Sequence, residues 1–292
     1  MSRSKLSLAI CARLFLCTAL QSVACASVPA TQPAAFDLQA SLDRYFSNLP
    51  EDWGAIAPAA LEEQLRSAKP FLVDVREAKE VADAGYIATA INLPVRAFIK
   101  NLDKLPTKDQ PIVVTCGSGH RSAFAMAALQ LLGYANVKSL AGGLSAWKAA
   151  GLAVTTGAPP EGKKISAPNV DKDLFSALDN YFSTLPDGWS GIAPATLNDL
   201  LKSSQPFLLE LREPNEIAGG LIAGSTRIPI RSLIKNLAKL PPDKGAAIIA
   251  VCATGHRSAM AMLALNLLGY NNVKSLSGGF NAWAKAGLPT SK

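Results

Sequence analysis

The chain states most of its sequence twice. "FDLQASLDRYFSNLPEDWGAIAPAALEEQL" from Phe36 returns as "KDLFSALDNYFSTLPDGWSGIAPATLNDLL" from Lys172, and "LLGYANVKSLAGGLSAWKAAGL" from Leu131 returns as "LLGYNNVKSLSGGFNAWAKAGL" from Leu267. Trp53 is thereby equivalent to Trp189, Trp147 to Trp283 and Cys116 to Cys252. Such a period is too long for a solenoid unit and is that of a duplicated domain. With 292 residues the chain has room for two independent cores. "VTTGAPPEGKKISAP", from Val154 to Pro168, has no apolar period and reads as a linker. The expected organisation is a first domain over residues 36–153, a linker over 154–170 and a second domain over 171–289.

Inside a repeat, short apolar runs alternate with helical patterns. "FLVDV" from Phe71 precedes "EAKEVADA", "AINL" from Ala90 precedes "VRAFIKNLDKL", and "IVVT" from Ile112 precedes "SAFAMAALQLLG". Strands that alternate with helices predict an α/β fold, with a mainly parallel sheet covered on both faces. Gly133 and Gly269 read as helix stops after helices with one buried face. Gly142-Gly143 and Gly278-Gly279 read as turns that let the last helix approach the neighbouring loop. An extra amphipathic helix is expected ahead of each α/β core, from Phe36 to Leu49 and from Leu174 to Leu185.

The N-terminus has the grammar of an export leader. Arg3 and Lys5 precede an apolar run, "LFLCTAL" from Leu14 to Leu20, and Ala24-Cys25-Ala26 fits a small-x-small cleavage site. Residues 1–26 are expected to be removed after Ala26, leaving a periplasmic or secreted protein. Lipidation at Cys25, within "SVAC", is the alternative. Loss of Arg3, Lys5 and Arg13 takes the formal net charge from +7 to +4. The remaining Lys and Arg are scattered, which argues against a nucleic-acid surface. Cys11 and Cys17 fall inside the leader, so Cys116 and Cys252 alone belong to the folded domains. A disulfide between them is the structural alternative to chemistry, but it demands specific geometry.

"CGSGHRSA" (Cys116–Ala123) and "CATGHRSA" (Cys252–Ala259) each stand between an apolar strand and a helix. In open α/β sheets, ligand sites form outside the carboxyl ends of the strands. Cys116 ends "IVVT" and Cys252 ends "IIAV", so both stand at that edge. A thiol is a nucleophile as the thiolate, which helix N-terminal amides and cations favour. Gly117 and Gly119 allow successive N–H groups to turn inward as an anion nest, with Ala253 and Gly255 in the same places, while the following helix adds its positive end. Ser118 and Thr254 add hydroxyl donors. Arg121 and Arg257 either bind an anion by the guanidinium fork or brace the loop through a carboxylate such as Asp74 or Glu210. His120 and His256 are the chain's two histidines; a solvent-facing or helix-capping role is expected in preference to proton transfer. Asp74 with Arg76, and Glu210 with Arg212, read as structural ion pairs. The four tryptophans read as core or domain-packing aromatics. No metal site and no cofactor are expected, because no second histidine or cysteine lies at ligand spacing.

Taken in order, "FLVDVREAKEV", "GYIATAINLP", "IVVTCGSGHRSAFAMAALQLLGY" and "VKSLAGGLSAWKAAGL" resemble the rhodanese (thiosulfate sulfurtransferase) domain. "FLLELREPNEI", "GLIAGSTRIP", "CATGHRSA" and "SGGFNAWAKAGLP" resemble it a second time. The resemblance implies two rhodanese-like domains, each a mainly parallel five-stranded sheet flanked by helices. It further implies a transferase that moves sulfane sulfur from thiosulfate or a similar anion to a thiol or cyanide, through a persulfide on Cys116 and Cys252. Residues Gly117, Ser118, Gly119, His120 and Arg121, and Ala253, Thr254, Gly255, His256 and Arg257, would bind the donor's anionic end. A protein sulfur acceptor is a further partner class. Six residues from cysteine to arginine resemble sulfur-transferring members, whereas phosphatase and arsenate-reducing relatives carry one more. A non-catalytic persulfide carrier or docking module is the alternative, followed by an oxyanion phosphatase or arsenate reductase. Glu210 in place of Asp74 is expected to shift the loop arginine of the second site and weaken that site.

Overall fold

A computed structural model describes residues 36–165 and 168–291. The expected leader, with Cys11, Cys17 and Cys25, lies outside the described residues.

The first repeat opens with α1 (Leu38–Ser47), where the Asp37 carboxylate accepts the Ala40 N–H at 2.9 Å and satisfies a free amide of the first turn. Leu42 and Phe46, four residues apart, are its buried stripe. There follow β1 (Ala55–Ile56), α2 (Pro58–Arg66), β2 (Phe71–Asp74), α3 (Ala78–Ala84), β3 (Ile91–Asn92), β4 (Ile112–Thr115), α4 (His120–Leu131), β5 (Val137–Leu140) and α5 (Gly143–Ala149). The second repeat runs α6 (Lys172–Ser183), β6 (Gly191–Ile192), α7 (Pro194–Ser203), β7 (Phe207–Glu210), β8 (Thr226–Arg227), β9 (Ile248–Val251), α8 (His256–Leu267), β10 (Val273–Leu276) and α9 (Gly279–Lys285). Each repeat forms a five-stranded sheet, ordered β1-β5-β4-β2-β3 and β6-β10-β9-β7-β8, in which every strand pairing is parallel. The architecture is the α/β one that the alternation of runs implies.

Three details differ from the pattern read in the sequence. "VRAFIKNLDKL" forms two 3₁₀ segments, Val95–Ala97 and Ile99–Lys104, instead of an α-helix; within the second, Asn101 leaves helical geometry at φ −111° and its side-chain amide donates to the Ala97 carbonyl at 2.7 Å. The second repeat replaces α3 with one 3₁₀ turn, Pro214–Glu216, since Gly220 takes the chain away at φ 109°. The helices after the cysteine loops are buried from Arg121 to Leu129 and from Arg257 to Leu265, on all sides rather than one, because α4 and α8 pack on each other as well as on their sheets.

The two faces of each sheet serve different cores, as the two-residue side-chain period requires. Leu72, Val113 and Leu140 join Leu61 and Trp147 in a cluster private to the first repeat; Leu208, Ile249 and Leu276 join Leu197 and Trp283 in the second. Val73 and Val114 on one sheet, and Leu209 and Ala250 on the other, face a single core common to both repeats. The leading helices cross over: α1 packs on the segments Ile230–Ser232 and Ile234–Lys239, and α6 packs on Val95–Ala97 and Ile99–Lys104. Phe182 of α6 accordingly stands 6.0 Å from Phe98 and 5.5 Å from Phe124 between ring centroids.

Candidate active site

β4 delivers Cys116 to the carboxyl edge of the first sheet, and β9 delivers Cys252 to that of the second. Both sulfurs are buried free thiols, at 1% and 0% exposure, so the pair does not form a disulfide. The Gly119 N–H donates to Cys116 Sγ at 3.1 Å and the Gly255 N–H to Cys252 Sγ at 3.2 Å. Each glycine can aim its amide so because it stands in the left-handed region, at φ 89° and 91°. The loop is held from behind by α5: Leu144 N–H donates to the Cys116 carbonyl at 2.7 Å and Ser145 N–H to the Gly117 carbonyl at 3.0 Å. In a trans peptide the N–H opposes the C=O, so anchoring these carbonyls on α5 leaves the amides of Gly117 and Ser118 facing the other way. Phe280 and Asn281 hold Cys252 and Ala253 alike, at 2.7 and 3.0 Å. The closeness of this approach is what requires the double glycine. A Cβ on Gly143 would overlap the Cys116 carbonyl oxygen, and one on Gly279 that of Cys252.

Behind each sulfur lies a chain of hydroxyls. Ser122 Oγ is 3.5 Å from Cys116 Sγ and accepts from Ser139 Oγ at 2.8 Å, which frees the Ser122 proton for the sulfur. Ser258 and Ser275 repeat the arrangement at 3.5 and 2.7 Å, and the Ser258 N–H adds a contact to Cys252 Sγ at 3.4 Å. Ser118 and Thr254 are exposed at the loop mouths.

The loop arginines brace the site, but not through the carboxylates expected. Arg121 forks onto Glu80 at 2.5 and 2.6 Å, and Arg257 onto Glu216 at 2.6 and 2.5 Å. These pairs hold both glutamates below the usual carboxylate range, chiefly through the arginine hydrogen bonds. Asp74 and Glu210 are occupied elsewhere. Arg76 donates to Asp74 from Nε and Nη2 at 3.0 and 2.6 Å, and Arg212 to Glu210 at 2.9 and 2.7 Å, all buried. These are the structural ion pairs that their position suggested. The expected shift of the second loop arginine by Glu210 is therefore corrected: Glu210 spends its length on Arg212, and Arg257 keeps the geometry of Arg121.

The histidines are half-buried, and their Nε2 nitrogens bond to the opposite repeat rather than to the sulfur. His120 Nε2 donates to the Trp189 carbonyl at 3.0 Å and His256 Nε2 to the Trp53 carbonyl at 3.0 Å, since a carbonyl can only accept. Burial pushes both imidazoles down, that of His256 to about 4, so each is neutral at neutral pH. Each tryptophan ring lies over the loop arginine of the other repeat: Trp189 is 4.7 Å from Arg121 Cζ and 4.5 Å from Arg96 Cζ, and Trp53 is 4.4 Å from Arg257 Cζ and 4.1 Å from Arg231 Cζ. A cavity of about 340 Å³ opens where the repeats meet, lined by Ser118 and Gly119 of one loop and Ala253, Thr254 and Arg257 of the other, with Trp53 at its wall. Among the described residues no group of three or more His, Cys, Asp or Glu side chains is placed to hold a metal ion.

Sequence reasoning missed Glu80, Glu216 and the serine pairs. A signal for the glutamates was present: Glu77 and Glu80, like Glu213 and Glu216, form capping boxes three residues apart, with the N-cap amide donating to Glu80 at 3.1 Å and to Glu216 at 2.8 Å.

A parallel sheet that presents one amide-cradled cysteine at its carboxyl edge defines a cysteine-bearing α/β domain, and this chain holds two. The Rhodanese-like domain family model matches residues 57–150 and 193–286, more than half of the chain, and the chain belongs to that family. It is 40% identical over 90 residues to a protein named sulfurtransferase from Allochromatium vinosum, covering 31% of this chain and 82% of that one. Over 111 residues it is 31% identical to thiosulfate sulfurtransferase 16, chloroplastic, of Arabidopsis thaliana, covering 35% and 92%. An uncharacterized protein of Synechocystis is 36% identical over 101 residues, and the match spans 55% of its length. The solved structure of the 3-mercaptopyruvate sulfotransferase SseA from Escherichia coli aligns with a TM-score of 0.37 at 18% identity, covering 77% of this chain and 97% of that one.

Proposed function

We propose that this chain is a sulfurtransferase with two cysteine sites, which takes sulfane sulfur from thiosulfate or a similar small anion and passes it to a thiol or cyanide. In the first step the Cys116 or Cys252 thiolate attacks the outer sulfur of the donor; a new S–S bond forms, the donor's own S–S bond breaks, and sulfite leaves with the electron pair. In the second, the acceptor's lone pair attacks the outer sulfur of the persulfide and the cysteine departs as thiolate. No net oxidant is needed in either step.

The support is the cradle itself. Gly119 and Gly255 donate to the sulfur at 3.1 and 3.2 Å, and a hydroxyl stands 3.5 Å behind each. Such donors stabilise negative charge wherever it sits, on thiolate or persulfide. The half-buried histidines are engaged with carbonyls, so the reading gives them no part in proton transfer. Export of the folded domains, after removal of residues 1–26, belongs to the same reading. N-terminal sequencing of the exported chain tests it, with Ser27 expected first.

The deciding experiment exposes the full chain to thiosulfate and reads both cysteine peptides by mass spectrometry, alongside thiocyanate release on adding cyanide. One added sulfur on Cys116 and on Cys252, with turnover, is expected. Loading without turnover supports the carrier alternative, and an unloaded chain overturns the reading.

A further inference from the structure

Each sulfur loop is closed by a side chain from the other half of the chain. Trp53 and Trp189 follow the leading helices of their own repeats, in left-handed conformations at φ 57° and 58°. Nothing in an indole favours that region, so the surroundings hold it there. Those surroundings lie across the interface. Arg96 donates from Nε to the Leu185 carbonyl at 3.0 Å and from Nη2 to Asp187 at 2.8 Å, and Arg231 donates to the Leu49 and Pro50 carbonyls at 2.8 and 3.1 Å. The segment just ahead of each tryptophan is thus fastened to the opposite repeat.

What each tryptophan touches there is the active loop. Trp189 takes the His120 N–H on its carbonyl and lies over Arg121 with its ring. His120 and Arg121 are the two residues directly after Gly119, whose amide binds the sulfur. Arg121 is thus held from two sides, by its fork on Glu80 and by the indole on one face, at the start of α4. Trp53 treats His256 and Arg257 in the same way and also walls the cavity that lies between the two loops.

We propose that the two sites are crossed: Trp189 is a positioning residue for Cys116 and Trp53 for Cys252, so that neither repeat carries a complete site of its own. This rests on the reading of both cysteines as sulfur carriers, and a second readout separates the two claims. Cation–π contacts of this kind contribute roughly 0.5–2 kcal/mol, or about 2- to 30-fold in rate.

The test uses the full chain, with Trp53→Ala, Trp189→Ala and the corresponding Phe variants. Two rates are measured at each cysteine by peptide mass spectrometry: sulfur loading from thiosulfate, and alkylation by iodoacetate. Trp189→Ala is expected to change both rates at Cys116 about tenfold while Cys252 stays within about twofold, and Trp53→Ala to do the converse. The Phe variants, which keep an aromatic face, are expected to recover most of each rate. Equal changes at both cysteines, as general loosening of the fold would produce, overturn the proposal, as does a change confined to the cysteine of the same repeat. Failure of thiosulfate loading in the unaltered chain overturns the sulfur reading alone, since alkylation still reports whether the effect crosses.

Discussion

The two repeats build the same site under different cover. In the first, α3 is a seven-residue helix; in the second, the equivalent stretch is a three-residue turn beginning at Pro214. Yet Glu80 and Glu216 meet their arginines at distances that agree within 0.1 Å. What survives in both is the capping box that orients the glutamate, together with the indole on the arginine's face. The lesson is that the brace depends on a local backbone motif and a distant ring, and not on the helix around it.

The likeness should break hardest at the double glycines. Gly143→Ala and Gly279→Ala place a methyl against the cysteine carbonyl at φ 57° and 61°, and each should lose about 3 kcal/mol or more in urea unfolding, with sulfur loading abolished at the adjoining cysteine. Next comes acid. Both histidines have their pKa lowered in the fold and would protonate near pH 6.5 once unfolded, so their contribution is complete above that pH and is lost as pH falls below it, for His256 down to about 4. The slope is up to about 1.4 kcal/mol per pH unit for each group. His256, which faces Arg257, Asp52 and His120, has its pKa pushed down to about 4, so His256→Gln should flatten the urea-midpoint profile clearly.

The braces separate the repeats more finely. Glu80→Gln and Glu216→Gln each leave a buried guanidinium without its counter-charge, at about 1–3 kcal/mol. The Glu216 side chain is 28% exposed against 40% for Glu80, so the second substitution should lower stability more, and the reverse order would contradict an equivalent brace. The smallest difference is expected at the hydroxyl chains, where Ser139→Ala and Ser275→Ala remove about 1 kcal/mol each. Cys252 keeps the Ser258 amide at 3.4 Å, so its alkylation rate should change less than that of Cys116.

The duplication, the parallel sheets and the strand-loop-helix around each cysteine were legible because all are written in local pattern: identical words at one spacing, apolar runs of strand length, glycines where the backbone must turn. Gly142-Gly143 was legible for the same reason. Partner choice was not. Asp74 pairs with Arg76 as their spacing suggests, but only the folded turn shows that Arg121 takes Glu80, 41 positions away in the chain. The failure at "VRAFIKNLDKL" is one of local competition, where Asn101 offers its side chain to the Ala97 carbonyl and breaks a pattern that apolar spacing favours. The link from Trp53 to His256 spans 203 positions, and nothing local announces it.

The exchange of α1 and α6 bears on how such a chain can change over generations. A doubled gene ordinarily leaves one copy free to decay while the other carries on. Here the copies hold one another's leading arm, so damage that unseats either arm strips the neighbour of its lining. Redundancy in the text has become mutual custody in the solid, each half completing the core they share.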